Sequence, residues 1–135
     1  LALFRGELRV ADLQGAWNEK MKSLLNVVPP DVGNGVMQDV HWSAGMFGYF
    51  PTYTLGNIYA AQLFACAQRD CGGSFDDEFA KGNFSPLLQW LRTHVHQRGH
   101  CLDPRELIAS ATSAPPDPAI YVDYLERRFR AIYNF

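Results

Sequence analysis

Apolar residues recur every three or four positions along most of the chain, and strict alternation is almost absent. Leu13, Trp17, Met21 and Leu24 or Leu25 share one stripe, the spacing of a helix with one face turned to a core. Asp12 stands before it as an N-cap, because a short carboxylate can accept from the first unpaired amides. Pro29-Pro30 bars any continuation. Tyr59, Leu63, Phe64 and Ala67 predict a second helix over about 52–70, stopped by Gly72-Gly73. A short helix is expected over 75–81, with Gly82-Asn83 as its stop. Ser85-Pro86, Asp103-Pro104 and Asp117-Pro118 each pair a capping residue with a proline whose missing N–H falls where a helix offers no acceptor. The first of these helices is read to run to Gly99. The second carries Leu107, Ile108 and Ala111, and the last puts Tyr121, Leu125, Phe129 and Ile132 on one face. No internal repeat is found. The fold class is all-α.

Between residues 31 and 51 the period is lost. Gly33, Gly35, Gly45 and Gly48 are interspersed with Trp42, Phe47, Tyr49 and Phe50. A loop this long inside a small domain is usually functional or disordered. Its aromatic density argues for order.

Composition narrows the field. The chain has 135 residues, 47% of them apolar and 19% charged, which is enough for one domain with a core. A net charge of -2 with dispersed basic residues lacks the footprint of a nucleic-acid binder. No apolar run is long enough to span a bilayer, and no secretory leader is recognisable, so no membrane partner and a cytoplasmic location are expected. Cys66, Cys71 and Cys101 form no CxxC and read as reduced thiols, each a small apolar or bystander side chain. The opening run Leu1-Ala2-Leu3-Phe4 needs something to pack against. It suggests a chain that was cut, or one whose upstream part is absent.

The loop carries the chemistry. Residues 35–42 read GVMQDVHW, and 47–57 read FGYFPTYTLGN. They gather an imidazole (His41), a carboxylate (Asp39), a carboxamide (Gln38) and two phenols (Tyr49, Tyr53). If both phenols lie on the first turn of the following helix, they share a face at i, i+4. Imidazole and phenol donors can hold a developing oxyanion without adding permanent charge. Asp39 or Gln38 could fix the ring's tautomer through its other nitrogen. The same residues also read as structural: a hydrogen-bonded loop histidine and core tyrosines with satisfied hydroxyls. No nucleophile stands beside a recognisable base.

GVMQDVHW resembles the GxxQDxHW signature of the thermostable carboxypeptidase Taq family. FGYFPTYTLGNIYAAQLF (47–64) is similar to that family almost residue for residue. LFRGELRVADLQGAWNEKM before it, and GNFSPLLQWLRTHVHQRG, DPRELIASAT and DPAIYVDYLERRF after it, agree in register. The resemblance covers the whole chain and implies the C-terminal helical subdomain of a larger, largely helical zinc metallocarboxypeptidase. Such an enzyme removes residues from peptide C-termini. Its zinc is held by an HExxH helix and a further glutamate, with the motif glutamate as general base.

By the same resemblance, His41 is expected at the oxyanion or substrate backbone. Tyr49 and Tyr53 are expected at the transition state or terminal carboxylate, with Gln38 and Asp39 as supports. No HExxH occurs in the chain, and the family's glutamate ligand and arginine-bearing motifs are absent. No zinc is therefore expected on this chain, and alone it is expected to be inactive. Its expected partners are peptide C-termini, the N-terminal catalytic part, and a second copy in a homo-oligomer. The alternative is a non-catalytic helical interaction or dimerisation module. A zinc site at His94, His96, His100 and Cys101 is disfavoured, because Gly99 interrupts the i, i+4 pair and histidines suit a helix end.

Overall fold

The computed structural model describes residues 1–135. It contains helices and turns and no strand. The chain divides into two compact units, residues 1–52 and 53–135.

In the first unit, α1 spans Leu13–Leu25. Leu13, Trp17 and Met21 are half-buried along the predicted stripe, whereas Leu24 and Leu25 stand exposed. Two details depart from the sequence reading. Asp12 makes no side-chain cap; its carboxylate is taken by the Arg9 guanidinium at 2.6 and 3.0 Å. The helix also ends before the prolines. Asn26 adopts the left-handed conformation (φ 55°) and its N–H returns to Lys22 O. Asparagine tolerates that region better than most residues.

The segment Val36–Gln38 forms one 3-10 turn against α1. Gly35 enters it at close quarters. A Cβ there would meet Asp31 O and Pro29 Cβ at 3.1 Å, closer than ordinary side-chain contact. The first residue of GVMQDVHW is therefore a glycine for packing reasons. Val36 beside it is the buried apolar anchor of the loop.

In the second unit the order is α2 (Pro51–Asp70, its first two residues in the first unit), α3 (Asp76–Ala80), α4 (Ser85–His94), α5 (Pro104–Thr112) and α6 (Pro118–Tyr133). Cys66, Ala67, Phe75, Trp90 and Ala111 form the core, with Leu63, Phe64, Phe79, Leu87, Leu91 and Val95 packed on it. Cys66 is thus a core residue. Burial pushes its thiol up, against the pull of Arg69. Cys71 and Cys101 are exposed and free.

The start signals form much as read. Asp117 caps α6 through Ala119 N–H (2.9 Å), and Glu106 reaches back to Asp103 N–H at the head of α5. At α4 the cap shifts: the Ser85 N–H donates to Asn83 Oδ1 at 3.1 Å, and Ser85 is already helical. That helix stops at His94 rather than Gly99. Val95 leaves helical geometry (φ -120°, ψ -63°) and a separate 3-10 turn covers His96–Arg98. The predicted face of α6 is only partly covered. Tyr121 and Leu125 are half-buried, but Phe129 and Ile132 are exposed.

One residue ties this unit together. Gln62 is buried on α2; its Nε2 donates to Thr112 Oγ1 (2.9 Å) and Pro115 O (3.0 Å). Its Oε1 accepts from Asp117 N–H at 2.9 Å. A single carboxamide thus pins α2 to the α5–α6 connection.

Candidate active-site loop

Asp39 follows the 3-10 turn and switches to extended backbone (φ -79°, ψ 91°). An aspartate there can fold its carboxylate back onto the N–H two residues on, the geometry of an Asx turn. It does so here: Asp39 Oδ1 accepts the His41 backbone N–H at 3.0 Å. The same oxygen lies 2.6 Å from His41 Nδ1. Both side chains are only 11% exposed, so little water competes for this contact.

Aromatic rings enclose the imidazole within the first unit. Tyr49 lies 5.0 Å away, tilted by 31°, and Phe50 meets it edge-on at 5.7 Å. Backbone bonds hold the turn: Met46 N–H donates to His41 O (2.9 Å), and Thr52 N–H to Tyr49 O (2.9 Å). Gly48 sits at φ 77°, a conformation that a side chain would strain. The loop is therefore ordered by short-range bonds and aromatic contact, as its composition implied.

Three of the predicted residues group within the first unit. Asp39, His41 and Tyr49 come together. Gln38 turns away from them and donates to Gly33 O, clasping the preceding turn. Tyr49 lies just before α2, which begins at Pro51, so the two phenols do not both stand on that helix's first turn. Tyr53 stands on that first turn, in the second unit, and is half-exposed. Phe50 was not singled out from sequence. Its place beside the motif was the available signal.

The histidines of the 94–101 stretch serve other ends. His94 stacks on Trp90 at 4.5 Å, and His96 lies on the separate 3-10 turn. Nowhere do three or more His, Cys, Asp or Glu side chains converge to hold a metal ion.

The profile of the carboxypeptidase Taq (M32) metallopeptidases matches residues 1–129. The chain belongs to the carboxypeptidase Taq (M32) family. It is 49% identical to thermostable carboxypeptidase 1 of Thermus thermophilus over 134 residues, covering 99% of this chain and 26% of that protein. It is 39% identical to carboxypeptidase 1 of Bacillus subtilis over 132 residues, again covering 26% of the relative. The M32 carboxypeptidase structure from Deinococcus radiodurans superposes with a TM-score of 0.91 at 34% identity, over 99% of this chain and 27% of that one. Metallocarboxypeptidase 1 of Trypanosoma cruzi gives 0.84 at 39% identity, over 96% and 27%. The chain thus spans about a quarter of its carboxypeptidase Taq relatives. A metallopeptidase family implies a bound metal, and the donor groups of this chain do not assemble a site for one.

Proposed function

We propose that this chain is the C-terminal part of a zinc metallocarboxypeptidase that releases amino acids from peptide C-termini. Its contribution is contact with substrate and transition state, while the zinc ligands come from the rest of the enzyme. The observation that carries this reading is the nearly buried Asp39–His41 pair, joined at 2.6 Å with the Tyr49 ring 5.0 Å away, inside the GVMQDVHW motif. A polar pair held this rigidly in a loop costs desolvation. A hydrogen-bonding task at a reacting carbonyl is a reason to retain it.

In this reading His41 contacts the oxyanion or the substrate backbone. Tyr49 and Tyr53 contact the transition state or the terminal carboxylate, and Gln38 shapes the loop. Alone, the chain is inactive toward peptides. Its location is the cytoplasm. The exposed Leu1, Phe4, Val10 and Leu24 and the bare end of α6 support further partners: the remainder of the enzyme and a second copy.

The test is His41→Ala in the full-length enzyme. Turnover should fall about a hundredfold or more, the loss expected for one oxyanion donor, with zinc content unchanged. Unimpaired turnover would reduce His41 to a structural residue.

A further inference from the structure

The proposed function leaves open which nitrogen of His41 faces the substrate and in what form. The structure narrows both. A carboxylate oxygen only accepts hydrogen bonds. Asp39 Oδ1 lies 2.6 Å from His41 Nδ1, so the proton of that bond belongs to Nδ1. The same oxygen holds the His41 backbone N–H at 3.0 Å. One atom therefore fixes both the main chain and the ring of a single residue. Tyr49 and Phe50 lie against that ring at 5.0 and 5.7 Å. A flip exchanging Nδ1 for a carbon would break the bond to Asp39 and disturb both contacts.

We infer that Asp39 is a positioning residue that locks His41 in the tautomer protonated at Nδ1, making Nε2 the nitrogen that meets substrate. This rests on the proposed role of His41 and sharpens it. With its proton on Nδ1, neutral imidazole carries its lone pair on Nε2. Toward a peptide, neutral His41 accepts a hydrogen bond from a backbone N–H. It donates to an oxyanion only when Nε2 holds a second proton, with the positive ring facing the Asp39 carboxylate. The two contacts proposed for His41 are thus two protonation states of one fixed ring.

The pair also predicts how substitutions divide. Asp39→Ala removes the acceptor and frees the tautomer. Asp39→Asn keeps a carbonyl oxygen. That oxygen stays on the His41 side because turning the amide would set its NH2 against the backbone N–H. The Nδ1 proton is then retained although the charge is gone.

The experiment is nitrogen NMR on the full-length enzyme labelled at histidine, with His41→Gln used to assign the His41 ring signals. At alkaline pH the wild type should show a protonated Nδ1 and an unprotonated Nε2. Asp39→Asn should keep that pattern, and Asp39→Ala should lose it. In the same enzyme Asp39→Ala should lower kcat/KM about ten- to a hundredfold, the usual cost of removing the partner that orients an active histidine. Asp39→Asn should recover part of that loss, and metal content should hold throughout. A wild-type ring protonated at Nε2, or a pattern unchanged in Asp39→Ala, would overturn the inference. If the tautomer behaves as stated but His41→Ala retains full turnover, the positioning role stands and the proposed function falls.

Discussion

The two units of this chain are held in different ways. In residues 1–52 the side-chain bonds are short in sequence: Asp39 to His41 spans two residues, Arg9 to Asp12 three, Gln38 to Gly33 five. In residues 53–135 the decisive bonds are long. Gln62 reaches Thr112, Pro115 and Asp117, 50 to 55 residues away. The first arrangement aims polar groups from a loop and buries little. The second closes a core around Cys66, Phe75 and Trp90. Apart from Tyr53, the residues proposed to function lie in the first, and the packed core lies in the second. Substitutions should therefore sort by unit.

The largest stability effect belongs to Gln62→Ala. It takes the carboxamide partner from Pro115 O and the Asp117 N–H, while the Thr112 hydroxyl keeps its bond to Ile108 O. At about 1–3 kcal/mol for each unsatisfied group, a loss of about 3 kcal/mol is expected in denaturant unfolding of the chain. A change too small to measure would mean that water replaces the carboxamide. Next comes Asp117→Ala, which removes the acceptor for Ala119 N–H at the head of α6. About 1 kcal/mol should be lost, and full retention would show that the α6 cap contributes nothing.

Trp90→Phe acts through pH. The Trp90 indole N–H, at 3.0 Å, and then Arg69 hold the Asp70 carboxyl below the usual carboxylate range. A lowered folded value means that the unfolded chain takes up the proton first. The stabilisation is therefore present at neutral pH and fades as pH falls through the folded value. Trp90→Phe should flatten that acid limb, and an unchanged limb would deny the Trp90–Asp70 bond any weight. The smallest effect is assigned to Asp12→Ala. Asp12 is paired with exposed Arg9 and caps nothing, so unfolding should shift by no more than about 0.5 kcal/mol. A loss near 1 kcal/mol would restore it as a cap.

Much of this contrast is legible in the sequence. Proline after Asp103 or Asp117 marks a helix start because both features act locally. The glycine–aromatic loop was readable because no period survived in it. Asp39 and His41 are two apart, so their contact needed only one turn. Gln62 was invisible: a lone glutamine inside a helix carries no sign of partners beyond residue 110. The end of α4 was misplaced because the break at Val95 is a backbone event without a glycine or proline. The α6 stripe shows which residues share a face, but periodicity cannot say whether anything covers Phe129 and Ile132. Asp12 was misassigned because a cap and an ion pair with Arg9 compete for one carboxylate.

The most direct test is a structure of the full-length enzyme with a non-hydrolysable peptide analogue bound at its metal. His41 Nε2 should lie within hydrogen-bond reach of the ligand, at about 3 Å, with Nδ1 still on Asp39 and the Tyr49 ring beside them. A ligand seated with His41 and Tyr49 out of reach, both still packed as they are here, would contradict the account.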